Sequence, residues 1–125
     1  MSATVKAQSA YGTTTRTIKS PRDIEYDLMA AITGRLRDAQ SNSGPTAFPA
    51  LVSAMHDNRR LWSAFATDLA GSGNQFPKDL RARLFYLAEF VGQHTDKALS
   101  GDAPAGVLVD INLAVMRGLR PQGGN

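Results

Sequence analysis

The chain is divided into four by its own punctuation. Ser20-Pro21, the run Ser41-Asn42-Ser43-Gly44-Pro45, the run Gly71-Ser72-Gly73-Asn74 with Pro77 behind it, and Gly101 with Pro104 are places where a regular element stops or starts. Proline lacks the N–H that a helix interior needs, and glycine tolerates the left-handed backbone that ends one. Between the breaks, apolar residues recur at spacings of three and four, and no segment alternates apolar and polar long enough to make a strand. Four such segments on short loops can bury their stripes only against one another. The spacing therefore predicts an all-α fold: a small, mainly antiparallel helical bundle of about four main helices behind a flexible N-terminal tail.

Each segment carries its own signals. Ser20 offers an N-cap hydroxyl, Pro21 suits the first helical position, and Asp23 and Glu25 place negative charge in the first turn. Ile24, Leu28, Ala31, Ile32, Leu36 and Ala39 then keep a helical period to about residue 40. The second helix is expected to start between Pro45 and Pro49 and to end before Gly71, with Leu51, Val52, Met55, Trp62, Phe65, Ala66 and Leu69 on one side. Pro77 opens the third, which is predicted to run to about Ser100 with Leu80, Leu84, Leu87, Ala88 and Val91 as its stripe. A fourth is expected after Asp102 as N-cap, with Pro104 in its first turn, and to reach about Arg117 on Val107, Leu108, Ile111, Val115 and Leu119. The domain organisation is one helical domain over 20–120, a basic tail over 1–19 and a frayed end over 121–125.

Charge locates the tail more sharply than composition does. The formal net charge is +3, yet residues 1–22 hold Lys6, Arg16, Lys19 and Arg22 with no acid, and the remaining Lys and Arg meet all 11 acids with one acid in excess. The body is thus close to neutral, and the tail's charge is read as solvated rather than as a phosphate-binding arm. The tail lacks the arginine-rich apolar face of a transit peptide, and no early apolar segment follows it. No run of apolar residues is long enough to span a bilayer, so no membrane association is expected. With no cysteine, there is neither a disulfide framework nor a thiolate metal site. The reading is a cytoplasmic protein.

Catalytic chemistry has little to stand on. His56 and His94 fall on different predicted helices, outside any HExxH pattern and without a second imidazole or carboxylate at ligand spacing, so each reads as a surface or packing residue. Gly71-Ser72-Gly73-Asn74 follows a helix instead of a strand and is a helix stop, not a phosphate cradle. The chain is read as a non-enzyme without cofactor or metal.

Three stretches do not reduce to core periodicity. Asn58-Arg59-Arg60-Leu61-Trp62 sets two guanidinium groups beside the only tryptophan, a residue type that stacks under arginine and recurs at interface hot spots. Its alternative is a boundary tryptophan capping the core. Asp110 and Asn112 interrupt an otherwise apolar helix that runs through Met116, and must face water or find partners. The third stretch, Asp79 to Phe90, carries Arg81, Phe85, Tyr86 and Phe90 off its leucine stripe. That second face belongs either to a helix buried on two sides or to a groove for a partner.

Taken in order, Ala7, Ala10, Tyr11 and Gly12, then PRDIEY at 21–26, HDNRRLW at 56–62, LRARLFYLAEFV at 80–91 and VDINLAVMRGLR at 109–120 resemble the flagellar biosynthesis regulatory protein FlaF family of alphaproteobacteria. The resemblance covers nearly the whole chain and implies a cytoplasmic, non-enzymatic protein needed for flagellin production and secretion. It further implies action together with the flagellin-mRNA regulator FlbT, and binding of flagellin as a chaperone. The family carries over no catalytic or ligand positions. The residues above, Tyr11, Arg59, Arg60, Leu61, Trp62, Arg81, Phe85, Tyr86, Phe90, Asn112 and Met116, enter as partner-binding candidates.

A flagellin chaperone is also physically apt. Flagellin has apolar terminal segments that become helical only in the filament, and a helix-lined groove can hold such segments before export. In this reading Phe85, Tyr86 and Phe90, with Leu61 and Trp62, line the groove and Arg59 and Arg60 flank it. The competing reading is a regulator that binds flagellin mRNA directly, through the tail and Arg59, Arg60, Arg81 and Arg83 with Trp62 or Tyr86 for base stacking, or an adaptor to FlbT. A near-neutral body without repeated aromatic and basic residues weighs against RNA.

Overall fold

In the computed structural model, residues 21–119 are described, with side chains from 26 to 118. The expectations for the tail at 1–19, for Tyr11 and for the frayed end at 121–125 lie outside the described residues. Four helices make up the described chain: α1 Pro21–Ser41, α2 Ala47–Ala70, α3 Lys78–Leu99 and α4 Gly106–Leu119. Among the described residues there is no strand, so the all-α bundle stands.

The turns are where the punctuation put them. Gly44 adopts φ 102° in the first loop, and Gly101 adopts φ 82° in the third, both in the left-handed region that costs glycine little. After α3 the Gly101 N–H donates to the Ala98 carbonyl (3.1 Å) and the Asp102 N–H to the Lys97 carbonyl (2.8 Å), the paired bonds of a Schellman stop. This corrects the expected start of the last helix. Because the Asp102 backbone is spent on closing α3, Asp102 does not cap α4, and Pro104 lies in the loop ahead of Gly106.

Short loops reverse the chain at each step, so α1 and α3 run one way and α2 and α4 the other. α1 packs on both α2 and α4, α2 packs on α3, and α3 touches α4 least. The core between them holds Met29, Ile32, Leu36, Met55, Trp62, Phe65, Leu84, Val91, Leu108 and Val115. Of the predicted stripe of the first helix, Ile32, Leu36 and Ala39 are buried, while Leu28 is 48% exposed and Ala31 is exposed; Met29 and Thr33 are buried in their place. The inward position of Thr33 is matched by a polar partner, since its hydroxyl takes part in a side-chain network that crosses the core.

That network joins three helices. Asn112 of α4 accepts from Trp62 Nε1 (2.9 Å) and, through its amide, donates to Thr33 Oγ1 (3.0 Å) and Asn58 Oδ1 (2.8 Å). Thr33 in turn donates to the Met29 carbonyl (2.7 Å). All four side chains are buried, and only the second amide hydrogen-bonding site of Asn58, its Nδ2, is left without a partner. Buried polar groups linked in this way fix register, since sliding α4 by one turn would orphan several of them at once. Asp110 faces water and Asn112 finds partners, so the two interruptions of α4 resolve in opposite ways.

Candidate functional site

The seam between α3 and α4 is the loosest in the bundle. Gly118, in the last turn of α4, lines the same cavity as Leu80, in the first turn of α3, so the two helices lie alongside each other without packing closely. At the loop end the seam is pinned: His94 Nε2 donates to the Pro104 carbonyl at 2.8 Å, and the Phe90 ring stacks on the imidazole at 5.5 Å. Toward the start of α3 it widens into a cavity of about 560 Å³ lined by Leu80, Arg83, Leu84, Tyr86, Leu87, Ala114, Val115 and Gly118. Its wall is almost wholly carbon. Leu84 and Val115 form a buried floor, and Tyr86 stands 70% exposed at the rim.

The helical turn sorts the aromatic residues of α3. Tyr86, Phe90 and His94 are four apart, so each lies about 40° from the last and together they form a ridge along the α4 side of the helix. Phe85 is about 100° away from Tyr86, on the flank turned away from that seam, near Arg81. Phe85 and Phe90 are 41% and 39% exposed, so the second face of this helix is not buried twice. Of the two explanations for that face, the double burial is excluded. The exposed aromatics nevertheless do not form one wall, because Tyr86 lines the groove, Phe90 stacks on His94 and Phe85 does neither.

The remaining site candidates are placed elsewhere. Leu61 and Trp62 belong to the core, with Trp62 only 1% exposed and its indole edge against Phe65 at 5.5 Å, so neither lines a surface groove. The indole found a buried amide, and that partner is why it sits inside rather than at the boundary. Asn112 and Met116 are buried as well. Arg59 pairs with Asp96 across the α2–α3 seam, and Arg60 lies 3.8 Å from Asp57, which also takes a 2.8 Å bond from Arg35. Arg59 ties α2 to α3 and Arg60 pairs within α2; neither lines the groove. Asp57, drawn chiefly by its hydrogen bond from Arg35, has a carboxyl held below its ordinary value of 3.8. Arg81 is half-buried with its Nε unpartnered; the arginine at the groove is Arg83.

A second and larger cleft, about 840 Å³, lies between α1 and α4 among Gly34, Arg37, Asp38, Gln40, Gly106 and Asp110. Half of its lining is polar, and Gln40 lies over Gly106 so closely that a Cβ there would meet its amide nitrogen at 3.0 Å. A half-polar cleft offers less to an apolar ligand than the smaller α3–α4 groove does. Among the described residues no group of His, Cys, Asp and Glu is arranged to hold a metal ion, and no helix is long and apolar enough to cross a membrane.

What these features define is a small four-helix bundle, tied by a polar network on one side and open along an apolar groove on the other. The family model described as flagellar protein FlaF matches residues 7–119, so the match takes in all of the bundle and the chain just ahead of it. The chain belongs to the FlaF family of flagellar proteins. No curated protein and no solved structure matches it.

Residues that periodicity treated as ordinary core turn out to line the groove. Leu80, Leu84 and Leu87 were expected to be covered, Arg83 entered only as a contact of the RNA reading, and Ala114 and Gly118 were not singled out.

Proposed function

We propose that this protein is a non-enzymatic cytoplasmic factor of flagellum biosynthesis that binds flagellin before its secretion, by taking an apolar helical segment into the α3–α4 groove. The observation that carries this reading is the apolar cavity of about 560 Å³ bounded by Leu80, Leu84, Leu87 and Val115 on a member of a flagellar family. A groove of that kind suits an amphipathic helix whose apolar residues lie at three- and four-residue spacing. The apolar ends of unassembled flagellin have that chemistry.

Direct binding of flagellin mRNA is the weaker reading. The tryptophan proposed for base stacking is buried, and Arg59 and Arg60 sit beside carboxylates. Tyr86 and Arg83 remain, beside a groove whose wall is apolar.

The test blocks the groove from within. Gly118 is exposed and a Cβ there meets nothing within 4 Å, so Gly118→Phe places a ring in the groove without a clash in the bundle. Purified flagellin is expected to co-elute with the wild-type protein and not with Gly118→Phe. Retained co-elution of the variant, or no co-elution of either, contradicts the assignment; salt-sensitive retention of flagellin leader RNA by the wild-type protein alone would favour the RNA reading.

A further inference from the structure

The groove and the start of α1 share one end of the bundle. α1 and α3 run the same way, so Pro21 lies at the end where α3 begins and α4 finishes, close to the open part of the groove. Twenty residues precede Pro21. Within them Ala3, Ala7, Ala10 and Tyr11 are spaced by four, three and one, which puts them on one face of a helical turn pattern, and Gly12 ends the pattern. Ser9 and Lys6 fall off that face. The eight residues from Thr13 to Ser20 can reach about 26 Å at full extension, enough to cross from α1 over the end of the shorter α4 to α3.

We propose that residues 3–11 of the same chain occupy the α3–α4 groove in the free protein, with Tyr11 and the three alanines against Leu80, Leu84, Leu87 and Val115, and that a binding partner must displace them. The family match begins at residue 7, inside this segment, instead of at the first helix. The groove lies where α3 and α4 pack most loosely, and the small alanines allow close approach to its apolar floor. The segment also shields apolar surface that would otherwise stand in water. As a competitor that rests on the flagellin reading of the groove, it sets a threshold: a tail bound nine-tenths of the time lowers a partner's apparent affinity about tenfold.

The chain has no cysteine, so Ser9→Cys, off the apolar face, carries a single nitroxide label. The expected result is selective broadening of the backbone amide signals of Leu84, Leu87, Val115 and Gly118, with those of Ser53 and Asp57 unaffected, and loss of that selectivity when Tyr11→Asp is added. Absence of groove broadening overturns the proposal. So does broadening that persists undiminished between differently isotope-labelled molecules, because the occupant is then a second copy. Flagellin is expected to bind Tyr11→Asp about tenfold more tightly than wild type. If groove broadening is present and flagellin binds neither protein, the tail proposal stands and the flagellin reading fails. If flagellin binds both equally and no broadening is seen, the reverse holds.

Discussion

The two seams of α4 are built on opposite principles. Against α1 it is held by Asn112, whose amide meets Thr33 and, beyond it, Asn58 and the indole of Trp62, so that a shift of one turn breaks several buried hydrogen bonds. Against α3 it has one tie, the His94–Pro104 bond at the loop end, and below it only carbon surface facing an open cavity. Polar contacts specify a single geometry and tolerate no exchange; apolar contacts are non-directional and can be traded for those of another helix. One side of α4 is therefore fixed, and the other is free to accept a partner. Stability and binding are expected to separate along this helix.

The largest effect should come from the fixed side. Trp62→Ala removes a fully buried indole and orphans the Asn112 carbonyl, with an expected loss of about 4 kcal/mol in urea unfolding. Trp62→Phe keeps most of the volume and loses the N–H, and about 1–3 kcal/mol is expected. If Trp62→Phe costs nothing measurable, the hydrogen bond carries nothing and the contrast between the seams is weakened.

Changes on the open side should invert this pattern. Tyr86→Ser is expected to shift unfolding by no more than about 0.5 kcal/mol, since the side chain is exposed, while weakening flagellin binding. Phe85→Ser, on the flank away from the groove, should leave binding unchanged. Equal losses for the two would mean that the exposed aromatics act as one surface after all.

The smallest effect is electrostatic and belongs to the α1–α2 seam. The Arg35 guanidinium lowers the Asp57 pKa on folding, so its stabilising contribution is present above the ordinary carboxylate value of 3.8 and is lost as pH falls through the lowered folded value. Stability curves of wild type and Asp57→Asn should therefore converge toward the acid end. The pair is solvent-exposed, and a difference that grows on acidification would contradict the pairing.

Much of this architecture was legible in the sequence. Proline and glycine positions divided the chain at the right places, and the stripes of α2 and α3 were read from spacing alone. What spacing does not encode is which polar group finds a buried partner. Thr33 is buried where the apolar stripe would have placed Leu28 or Ala31, and its partner, Asn112, is 79 residues away. Trp62 was misplaced for the same reason: beside Arg59 and Arg60 it suggests an interface, and only the distant amide takes it inside. For the site, the presence of an unusual second face on the third helix was visible, but its division between Tyr86 and Phe85 depends on which neighbour packs loosely against it, α4 rather than α2, and the side-chain pattern does not carry that information.

The most direct measurement is amide chemical-shift mapping of the isotope-labelled protein during titration with flagellin. The expected result is a continuous patch of shifts over residues 80–90 of α3 and 114–118 of α4, with Ser53, Asp57 and Thr67 unmoved. Shifts centred on the α1–α4 cleft around Gly34 and Gln40, or on the α1–α2 seam, with the α3–α4 groove silent, would contradict it.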